Sequence, residues 1–415
     1  MANSGIRGFR FAGGVVPAVV LTAALSIHAT GTATADGTPT PLPSAGGTSA
    51  PALRLPVIPP ALDLTQASCT TSSGTVMTEV PWAQQNLELT RAHQLTQGAG
   101  VKVAVIDTGV SAGAPTLAGR VTAVGAGATK DCVGHGTFVA GIIAGAPRAG
   151  TGFSGVAPAA RILAVSGTDS GGIPDESKVA AGIRAATDAG AEVIDVSPSF
   201  PSTIGALDSA LKYAAEHDVL VVAAGVSDGL TATSTADGAE RPTVTYWPAA
   251  RPGVLSVVDL DIDGARPDSA VDPSRADLAA PGQGIAGIGP RGKGNYLANG
   301  PSVAAAFVAG AAALVRAYYP DLSAAEVRDR LTAGAYPGEV PRLNPYGALS
   351  AVLPTAKSSA QAGTSHAVHL TPVVRDHAPA RRAYAVLTAS VAAAAVLGAA
   401  VLLARRRRAR MTADA

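Results

Sequence analysis

An aspartate, a histidine and a serine stand, in that order, in three separate motifs that are rich in glycine and small residues. Asp107 ends the run VKVAVID, His135 lies between two glycines in GHGTFVAGIIAG, and Ser302 follows Gly-Pro in GPSVAAAFVAG. A serine hydroxyl attacks a carbonyl carbon only when a base removes its proton, and a buried carboxylate must orient that base. The pattern therefore predicts nucleophilic catalysis by a triad of Asp107, His135 and Ser302.

The three motifs differ in specificity. Asp-Thr-Gly after a strand also occurs in aspartic proteases and sugar kinases, and a serine at the start of a helix is most often a simple N-cap. The histidine motif is more informative, since His135 is the one histidine of the 7 in the sequence with a glycine on each side. At Ser302 the helix N-terminus would favour developing negative charge, and the Ser302 N–H could donate to an oxyanion.

The segments that must position these residues alternate between strand-like and helical patterns. Short β-branched runs bounded by turn residues include VKVAVID, RILAVS, EVIDVS, VLVVAAG and VLSVVDL, while residues 176–190 and 204–217 have apolar side chains at helical spacing. This alternation predicts an α/β fold over residues 80–353, with a doubly wound parallel sheet and helices on both of its faces. Active sites of such sheets lie beyond the carboxyl ends of the strands, which is where Asp107 stands.

The amino-terminal residues have the pattern of an export signal. Two arginines precede an apolar run, and Ala-Thr-Ala then places small residues two apart, so residues 1–35 are predicted to be a cleaved signal peptide. Residues 36–79 form an extension that is rich in proline. Up to about residue 60, we expect this extension to bury too little apolar surface to become ordered.

An uncharged stretch near the other end predicts a membrane anchor. Residues 383–404 are long enough to cross a bilayer as a transmembrane helix, and they follow a polar linker over residues 354–382. Arginines crowd the tail at residues 405–415, and the positive-inside rule places such a cluster in the cytoplasm. The alternatives are a buried core helix for the stretch and a nucleic-acid tract for the arginines. The favoured topology is single-pass in the cell membrane, with residues 80–353 outside the cytoplasm.

Charge and cysteine content narrow the function classes further. Lysine plus arginine number 31 and aspartate plus glutamate 30, so the net charge gives no argument for a nucleic-acid partner. We find no dense run of Asp and Asn with calcium-loop spacing, so no metal is assigned, and the chemistry predicted above needs no cofactor. The two cysteines, Cys69 and Cys132, could form one disulfide in an exported domain or remain as two buried thiols.

The motifs together resemble the subtilases, the subtilisin-like serine proteases. The resemblance rests on the order Asp, His, Ser, and on the segments VAVIDTG, GHGTFVAGIIAG and GPSVAAAFVAG. The segments SGVAPAARILAV, YWPAARPGVLSVV and DLAAPG are also similar to that family's framework, so the matches cover most of residues 80–350. The resemblance implies a subtilisin-like fold and serine endopeptidase activity, with Asp107, His135 and Ser302 as the triad.

A narrower resemblance is to the mycosins, the membrane-anchored subtilases attached to type VII secretion systems. It rests on the segment PWAQQNLELTRAHQLTQGAGVKVAVIDTG, on the Pro-rich extension with Cys69, on Cys132 just before the histidine motif, and on the C-terminal apolar stretch. The resemblance implies a partner in a type VII secretion membrane complex and a protein or peptide substrate. It also implies a disulfide between Cys69 and Cys132 that clips the extension near the active site.

Several positions depart from the subtilase pattern. Pro301 replaces the threonine of Gly-Thr-Ser, and Ala306 replaces a proline later in the same motif. The ungapped match to the family's oxyanion asparagine places Ser227 there, and a serine hydroxyl is shorter than an amide. Losing one oxyanion donor typically costs about 10²–10³ in turnover. Pro198 lies in the segment that pairs with substrate in this family and has no N–H to donate.

Two functions follow from these observations. The first is a secreted, membrane-anchored serine endopeptidase, slow or narrow in specificity, that acts with a type VII secretion system. The alternative is a catalytically weak or inactive subtilase fold that serves as a structural subunit of the secretion complex. An unrelated α/β-hydrolase would need Gly-x-Ser-x-Gly around its nucleophile and the order Ser, Asp, His, and neither feature occurs at the predicted site.

Overall fold

A parallel sheet of seven strands is the central element of the computed structural model, which describes residues 54–232 and 242–353 together with Ala400. The strands of the described chain are β1 (Lys102–Asp107), β2 (Val121–Ala123), β3 (Arg161–Ser166), β4 (Val193–Val196), β5 (Leu220–Ala224), β6 (Thr243–Val244), β7 (Leu255–Leu260), β8 (Asp272–Pro273), β9 (Leu278–Pro281), β10 (Ile285–Ile288) and β11 (Asn295–Ala298).

The spatial order of the strands confirms the doubly wound topology. The order is β2-β3-β1-β4-β5-β7-β9, and every neighbouring pair in this sheet is parallel. The chain moves from β1 to one side of the sheet, returns past it, and then adds β4 and the later strands on the other side. Such a reversal opens a crevice beyond the carboxyl end of the strand at which it occurs. Asp107 is the last residue of that strand.

Helices cover both faces of the sheet. The helices are α1 (Trp82–Asn86), α2 (Leu89–His93), α3 (His135–Ala144), α4 (Glu176–Asp188), α5 (Gly205–Glu216), α6 (Pro301–Tyr318), α7 (Ala324–Ala333) and α8 (Pro345–Ser350). Along β1, Val103 and Val105 belong to the core that contains α3 and α6, whereas Ala104 and Ile106 belong to the core that contains α4 and α5. Burial on both faces explains why the strands are continuously apolar instead of alternating with polar residues.

The long helix α6 is the apolar element that carries Ser302 into the core. It begins with proline at its first position, where the missing N–H costs nothing, and it packs against α3 and the strands β4, β5, β7 and β9. Gly310 allows α6 to approach the segment between α3 and β3, since a Cβ there would lie 2.6 Å from Cβ of Val156. In the described part of the chain, α6 is the one helix long and apolar enough to span a bilayer, but 89% of it is buried inside the domain.

The predicted membrane and export segments lie outside the described residues. This applies to the signal peptide at 1–35, the linker at 354–382, the tail at 405–415, and the span at 383–404 apart from Ala400. These segments remain predictions from the sequence.

The end of the Pro-rich extension is ordered against the domain, so the expectation of disorder up to about residue 60 is wrong for residues 54–60. Val57 forms a parallel β-bridge with Leu297 on β11. The Ile58 N–H donates to the Leu297 carbonyl at 2.8 Å, and the Leu297 N–H donates to the Pro56 carbonyl at 2.8 Å. Ile58 is also buried in the main core. Backbone pairing with β11 supplies the order that the extension's own composition does not.

The disulfide between Cys69 and Cys132 is formed, which confirms the predicted pairing. The two Cα atoms are 4.5 Å apart, and 63 positions separate the cysteines in the chain. Next to it, the Thr70 N–H donates to the Cys132 carbonyl at 2.8 Å, and the Thr70 hydroxyl donates to the Val133 carbonyl at 2.5 Å. The extension is therefore fastened to the segment that immediately precedes His135.

The disulfide is expected to stabilise the domain because it closes a long loop in the unfolded chain and so lowers the entropy of that state. Replacing both cysteines, C69S with C132S, should lower the free energy of unfolding by about 2–4 kcal/mol. Denaturant unfolding of the oxidised parent and of the double variant measures the difference. Adding a reductant to the parent should produce the same loss, and a double variant as stable as the oxidised parent would contradict the expectation.

Candidate active site

The structure brings the three predicted residues together at one edge of the sheet. Asp107 ends β1, His135 is the first residue of α3, and Ser302 is the second residue of α6. The Asp107 carboxylate lies 2.8 and 3.0 Å from Nδ1 of His135, and Nε2 of His135 lies 3.2 Å from Oγ of Ser302. All three are buried, with exposures of 2%, 4% and 0% in chain order. The three side chains thus lie within hydrogen-bond distance of one another in the order carboxylate, base and nucleophile.

A second carboxylate, Asp131, joins the aspartate and histidine motifs. One of its oxygens accepts from the Thr108 hydroxyl at 2.9 Å and from the Gly134 N–H at 2.7 Å. The other accepts from the N–H and the hydroxyl of Thr137, at 2.8 and 2.5 Å. Thr108 in turn accepts from the Gly136 N–H at 2.9 Å. Burial raises the pKa of Asp131 even though these hydrogen bonds favour its ionised form.

Two glycines next to the site are required by close contacts. A Cβ on Gly136 would lie 2.1 Å from the Gly109 carbonyl oxygen and 2.9 Å from Cβ of Asp107. Gly300 has φ of 133°, and a Cβ there would lie 2.1 Å from Oδ1 of Asp228. Larger residues would therefore separate α3 from β1, and α6 from the loop that follows β5.

Burial and charge shift the pKa values of Asp107 and His135 in opposite directions. Burial alone would raise the pKa of Asp107, but the charge of His135 and the hydrogen bonds to the carboxylate hold that pKa below its usual value. The Thr108 N–H contributes one of these bonds at 2.6 Å. Burial would lower the pKa of His135, but Asp107 and Asp228 together outweigh this effect, so the pKa lies well above its usual value.

The residue that faces Ser302 from the loop after β5 is Asp228. Its Oδ1 accepts from the Ser302 N–H at 3.0 Å, its Oδ2 accepts from the Ser302 hydroxyl, and Oδ2 is 3.3 Å from Nε2 of His135. Ser227, the weak oxyanion candidate of the sequence pattern, lines the adjoining cavity together with Gly300. No hydrogen bond joins the Ser227 side chain to Ser302 in the described structure. The side chain that faces Ser302, that of Asp228, is therefore a hydrogen-bond acceptor. The subtilase pattern has an amide donor there.

The sequence contained a weak signal for Asp228. In the segment VVAAGVSDG, the residue aligned with the family asparagine depends on where the loop after β5 departs from the strand. An ungapped match selects Ser227, whereas the structure turns the next side chain toward Ser302. Asp131 had no comparable signal, because its link to Thr108, 23 positions earlier in the chain, forms only in the fold.

Three other departures from the subtilase pattern have a visible structural outcome. Pro301 occupies the first position of α6, and the preceding Gly300 N–H donates to the Gly282 carbonyl at 2.8 Å. Ala306 is fully buried within the same unbroken helix. Pro198 is also buried, and Phe200 shortly after it exchanges two backbone hydrogen bonds of 2.8 Å with Trp247. The nucleophile turn is thus formed without the family's Gly-Thr-Ser.

Asp195 is a buried carboxyl group beside the site with no hydrogen-bond partner for either oxygen. It lies on β4 and is completely buried, and its backbone pairs with Val105, two residues before Asp107. Burial, and then the charge of Asp107, hold the pKa of Asp195 well above its usual value. Burial beside Asp107 thus favours the neutral form of Asp195. Within the described residues, no group of three or more His, Cys, Asp or Glu side chains could hold a metal ion.

The neutral Asp195 should make the domain less stable as the pH rises. Because the folded-state pKa is raised, its contribution to stability is complete below the pKa of the unfolded chain, about 4, and falls as the pH rises through the folded pKa. Asp195→Asn should remove this loss, so its advantage in free energy of unfolding should grow from pH 4 to pH 8. Urea unfolding across this range tests the expectation. The control is Asp321→Asn, which changes an exposed carboxylate. If the free energy of unfolding changed with pH equally in Asp195→Asn and the parent, the expectation would be contradicted.

More than half of the sequence matches a known family. Residues 98–366 match the Subtilase family. Mycosin-3 of Mycobacterium tuberculosis is 35% identical over 393 residues, which cover 79% of this chain and 84% of that protein. Subtilisin DY of Bacillus licheniformis is 35% identical over 242 residues, which cover 58% of this chain and 85% of that protein.

Solved structures with the same fold include chains from secretion systems. The MycP3 protease from the type VII (ESX-3) secretion system has 33% sequence identity and a TM-score of 0.57, covering 72% of this chain and 95% of that one. A chain of the intact ESX-5 inner membrane complex has 28% identity and a TM-score of 0.59, covering 83% of this chain and 96% of that one. With the matched motifs and the fold, these similarities show that the chain belongs to the subtilase family, with mycosins among its relatives.

Proposed function

We propose that this chain is an exported, membrane-anchored serine endopeptidase that acts with a type VII secretion system. The observation that carries the proposal is the buried hydrogen-bonded series from Asp107 through His135 to Ser302, at the switch point of the sheet. Membership of the subtilase family supports the reaction class.

In the proposed reaction, Oγ of Ser302 attacks the carbonyl carbon of a peptide bond. His135 takes the hydroxyl proton through Nε2, and Asp107 holds the ring with Nδ1 protonated and stabilises the imidazolium that forms. The same proton then passes to the leaving amine, and water hydrolyses the acyl-enzyme with His135 again acting as base. The substrate is a protein or peptide, and the chemistry uses no cofactor.

The activity is proposed to be slow. The N–H of Ser302 is the backbone donor that would stabilise the tetrahedral oxyanion, and it is already bonded to the carboxylate of Asp228. Removing a single preorganised donor from such a site typically lowers turnover by about 10²–10³, or 2.7–4 kcal/mol. A carboxylate in place of an amide adds repulsion of the oxyanion.

Membrane attachment is proposed from the two ends of the sequence. Residues 1–35 have the pattern of an export signal, and the apolar stretch at 383–404 precedes an arginine-rich tail. Similarity to a chain of the ESX-5 inner membrane complex supports a partner of that kind for this protein. The peptidase domain would then face away from the cytoplasm, with the tail inside.

A second candidate function is a structural subunit of the secretion complex with weak or no hydrolysis. The contact between Asp228 and Ser302 favours it, since the hydroxyl and the N–H of the nucleophile are both bonded to one carboxylate. The two functions make opposite demands on Ser302. The endopeptidase needs its hydroxyl, whereas the structural subunit needs only the fold.

Substitution of Ser302 separates the two candidates. A fluorophosphonate probe should label the parent and the Ser350→Ala control, in which an exposed serine is replaced, but not Ser302→Ala. Ser302→Ala should also abolish cleavage of a peptide library, because only water remains as the nucleophile. Mass spectrometry of the labelled peptide and of the cleaved library gives both readouts. If the parent shows no more labelling or cleavage than Ser302→Ala, the endopeptidase proposal fails.

Topology is tested on intact cells. Protease added to protoplasts should release the peptidase domain, and an epitope after residue 410 should be detected only after the membrane is opened. Deleting residues 383–415 should release the domain into the medium. A domain that is protected in intact protoplasts, with an accessible tail, would contradict the proposed orientation.

A further inference from the structure

The carboxylate of Asp228 touches both the nucleophile and the base of the proposed reaction. Oδ1 is bonded to the Ser302 N–H, and Oδ2 is bonded to the Ser302 hydroxyl and lies 3.3 Å from Nε2 of His135. The side chains of Asp228 and His135 are only 9% and 6% exposed, so little water separates or screens them. The base therefore lies between two carboxylates, Asp107 at Nδ1 and Asp228 at Nε2.

We propose that His135 and Asp228 share one proton, that the resting enzyme holds it on His135, and that hydrolysis occurs when it moves to Asp228, whose carboxyl group then donates to the oxyanion. The proposal rests on the proposed function, since it assigns a further catalytic residue to the same reaction.

The resting form is an imidazolium flanked by two carboxylates, and it is unreactive for three reasons. A protonated His135 cannot accept the Ser302 proton, and an ionised Asp228 cannot donate to an oxyanion. The N–H of Ser302 is also occupied. The charges favour this form because burial, which opposes the imidazolium, is outweighed by Asp107 and then by Asp228, so the pKa of His135 lies well above its usual value.

The other charged groups around Asp228 are mostly carboxyl groups. Asp195 on β4 and Asp259 on β7 both feel its charge, since the pKa of each is raised first by burial and further by Asp228. Asp259 accepts from the Gln283 amide and is partly compensated by the charge of Arg266. His135 is thus the cation in direct contact with Asp228.

The proton transfers balance without any further reactant. As the substrate carbonyl approaches, the proton on Nε2 of His135 passes to Oδ2 of Asp228, and the carboxyl group turns away from the Ser302 N–H. Neutral His135 then removes the hydroxyl proton as Oγ bonds to the carbonyl carbon. The carbonyl oxygen gains the electron pair and accepts hydrogen bonds from the Asp228 O–H and the Ser302 N–H. Collapse of the intermediate breaks the C–N bond, and His135 gives its proton to the amine.

A shared proton predicts an unusual dependence on pH. An ordinary histidine-based triad keeps its activity above the pKa of the histidine, because only the neutral base is needed. Here the active form still requires one proton in the pair, so activity should fall on the alkaline side, where the pair loses it. On the acid side activity should fall as the pair gains a second proton, which gives a bell-shaped profile with a low maximum.

The test is the pH profile of the full chain and of three variants at position 228 or beside it. Asp228→Asn supplies an amide donor, Asp228→Ala removes the carboxylate without supplying any donor, and Ser227→Asn places an amide at the neighbouring residue. Turnover and the rate of fluorophosphonate labelling are measured from pH 4.5 to 9.5, with Ser302→Ala as the blank. Thermal unfolding verifies that each variant is folded.

Asp228→Asn should lose the alkaline fall and gain about 10²–10³ in kcat with little change in KM, because the new bond strengthens as charge develops on the oxygen. Asp228→Ala should also lose the alkaline fall, but with less than about a tenfold gain, because its side chain has no donor for the oxyanion. Ser227→Asn should still lose activity at alkaline pH as the parent does, because Asp228 is unchanged. If Asp228→Asn keeps the alkaline fall, or changes kcat by less than about threefold, the shared proton is refuted while the proposed function stands. If the parent and both Asp228 variants label no faster than Ser302→Ala, both proposals fail.

Discussion

The site depends on one buried imidazole held between two carboxylates. Asp107 contacts Nδ1 of His135, and Asp228 contacts Nε2 and Ser302. Removing charges from water is expensive, and only close pairing with opposite charge offsets that cost. The arrangement therefore requires that three chain segments meet with almost no freedom. It also explains how the site can combine the geometry of a serine protease with Asp228, a hydrogen-bond acceptor, where the family has an amide donor.

The scaffold meets this requirement through the sheet and its two apolar helices. Reversal of strand order at β1 places Asp107 at a crevice, and α3 and α6 begin there with His135 and Ser302 close to their N-termini. Asp131 fixes the entry into α3 by bonding to residues of both motifs. The disulfide from Cys69 fastens the extension just before that entry. The triad residues are thus positioned by packing and by buried hydrogen bonds of residues that take no part in the proposed reaction.

Much of this architecture could be predicted from the sequence because the signals are local. The helical patterns at 176–190 and 204–217 correspond to α4 and α5 within a few residues, and the apolar runs correspond to β1, β3, β4, β5 and β7. The three predicted triad positions come from motifs with fixed internal spacing. Residues 54–60 escaped prediction because their order comes from a bridge to β11, far away in the sequence. The choice between Ser227 and Asp228 was equally out of reach, since a shift of one residue in a loop decides which side chain faces Ser302.

The central claim is that Asp228 changes the protonation of His135, and the imidazole itself reports this most directly. The measurement is the ¹⁵N chemical shift of His135 Nδ1 and Nε2 at pH 7 in the parent and in Asp228→Asn. The account predicts that both nitrogens are protonated in the parent, and that Nε2 loses its proton in the variant while Nδ1 keeps its bond to Asp107. A neutral His135 in the parent, with the same tautomer as in the variant, would contradict the account.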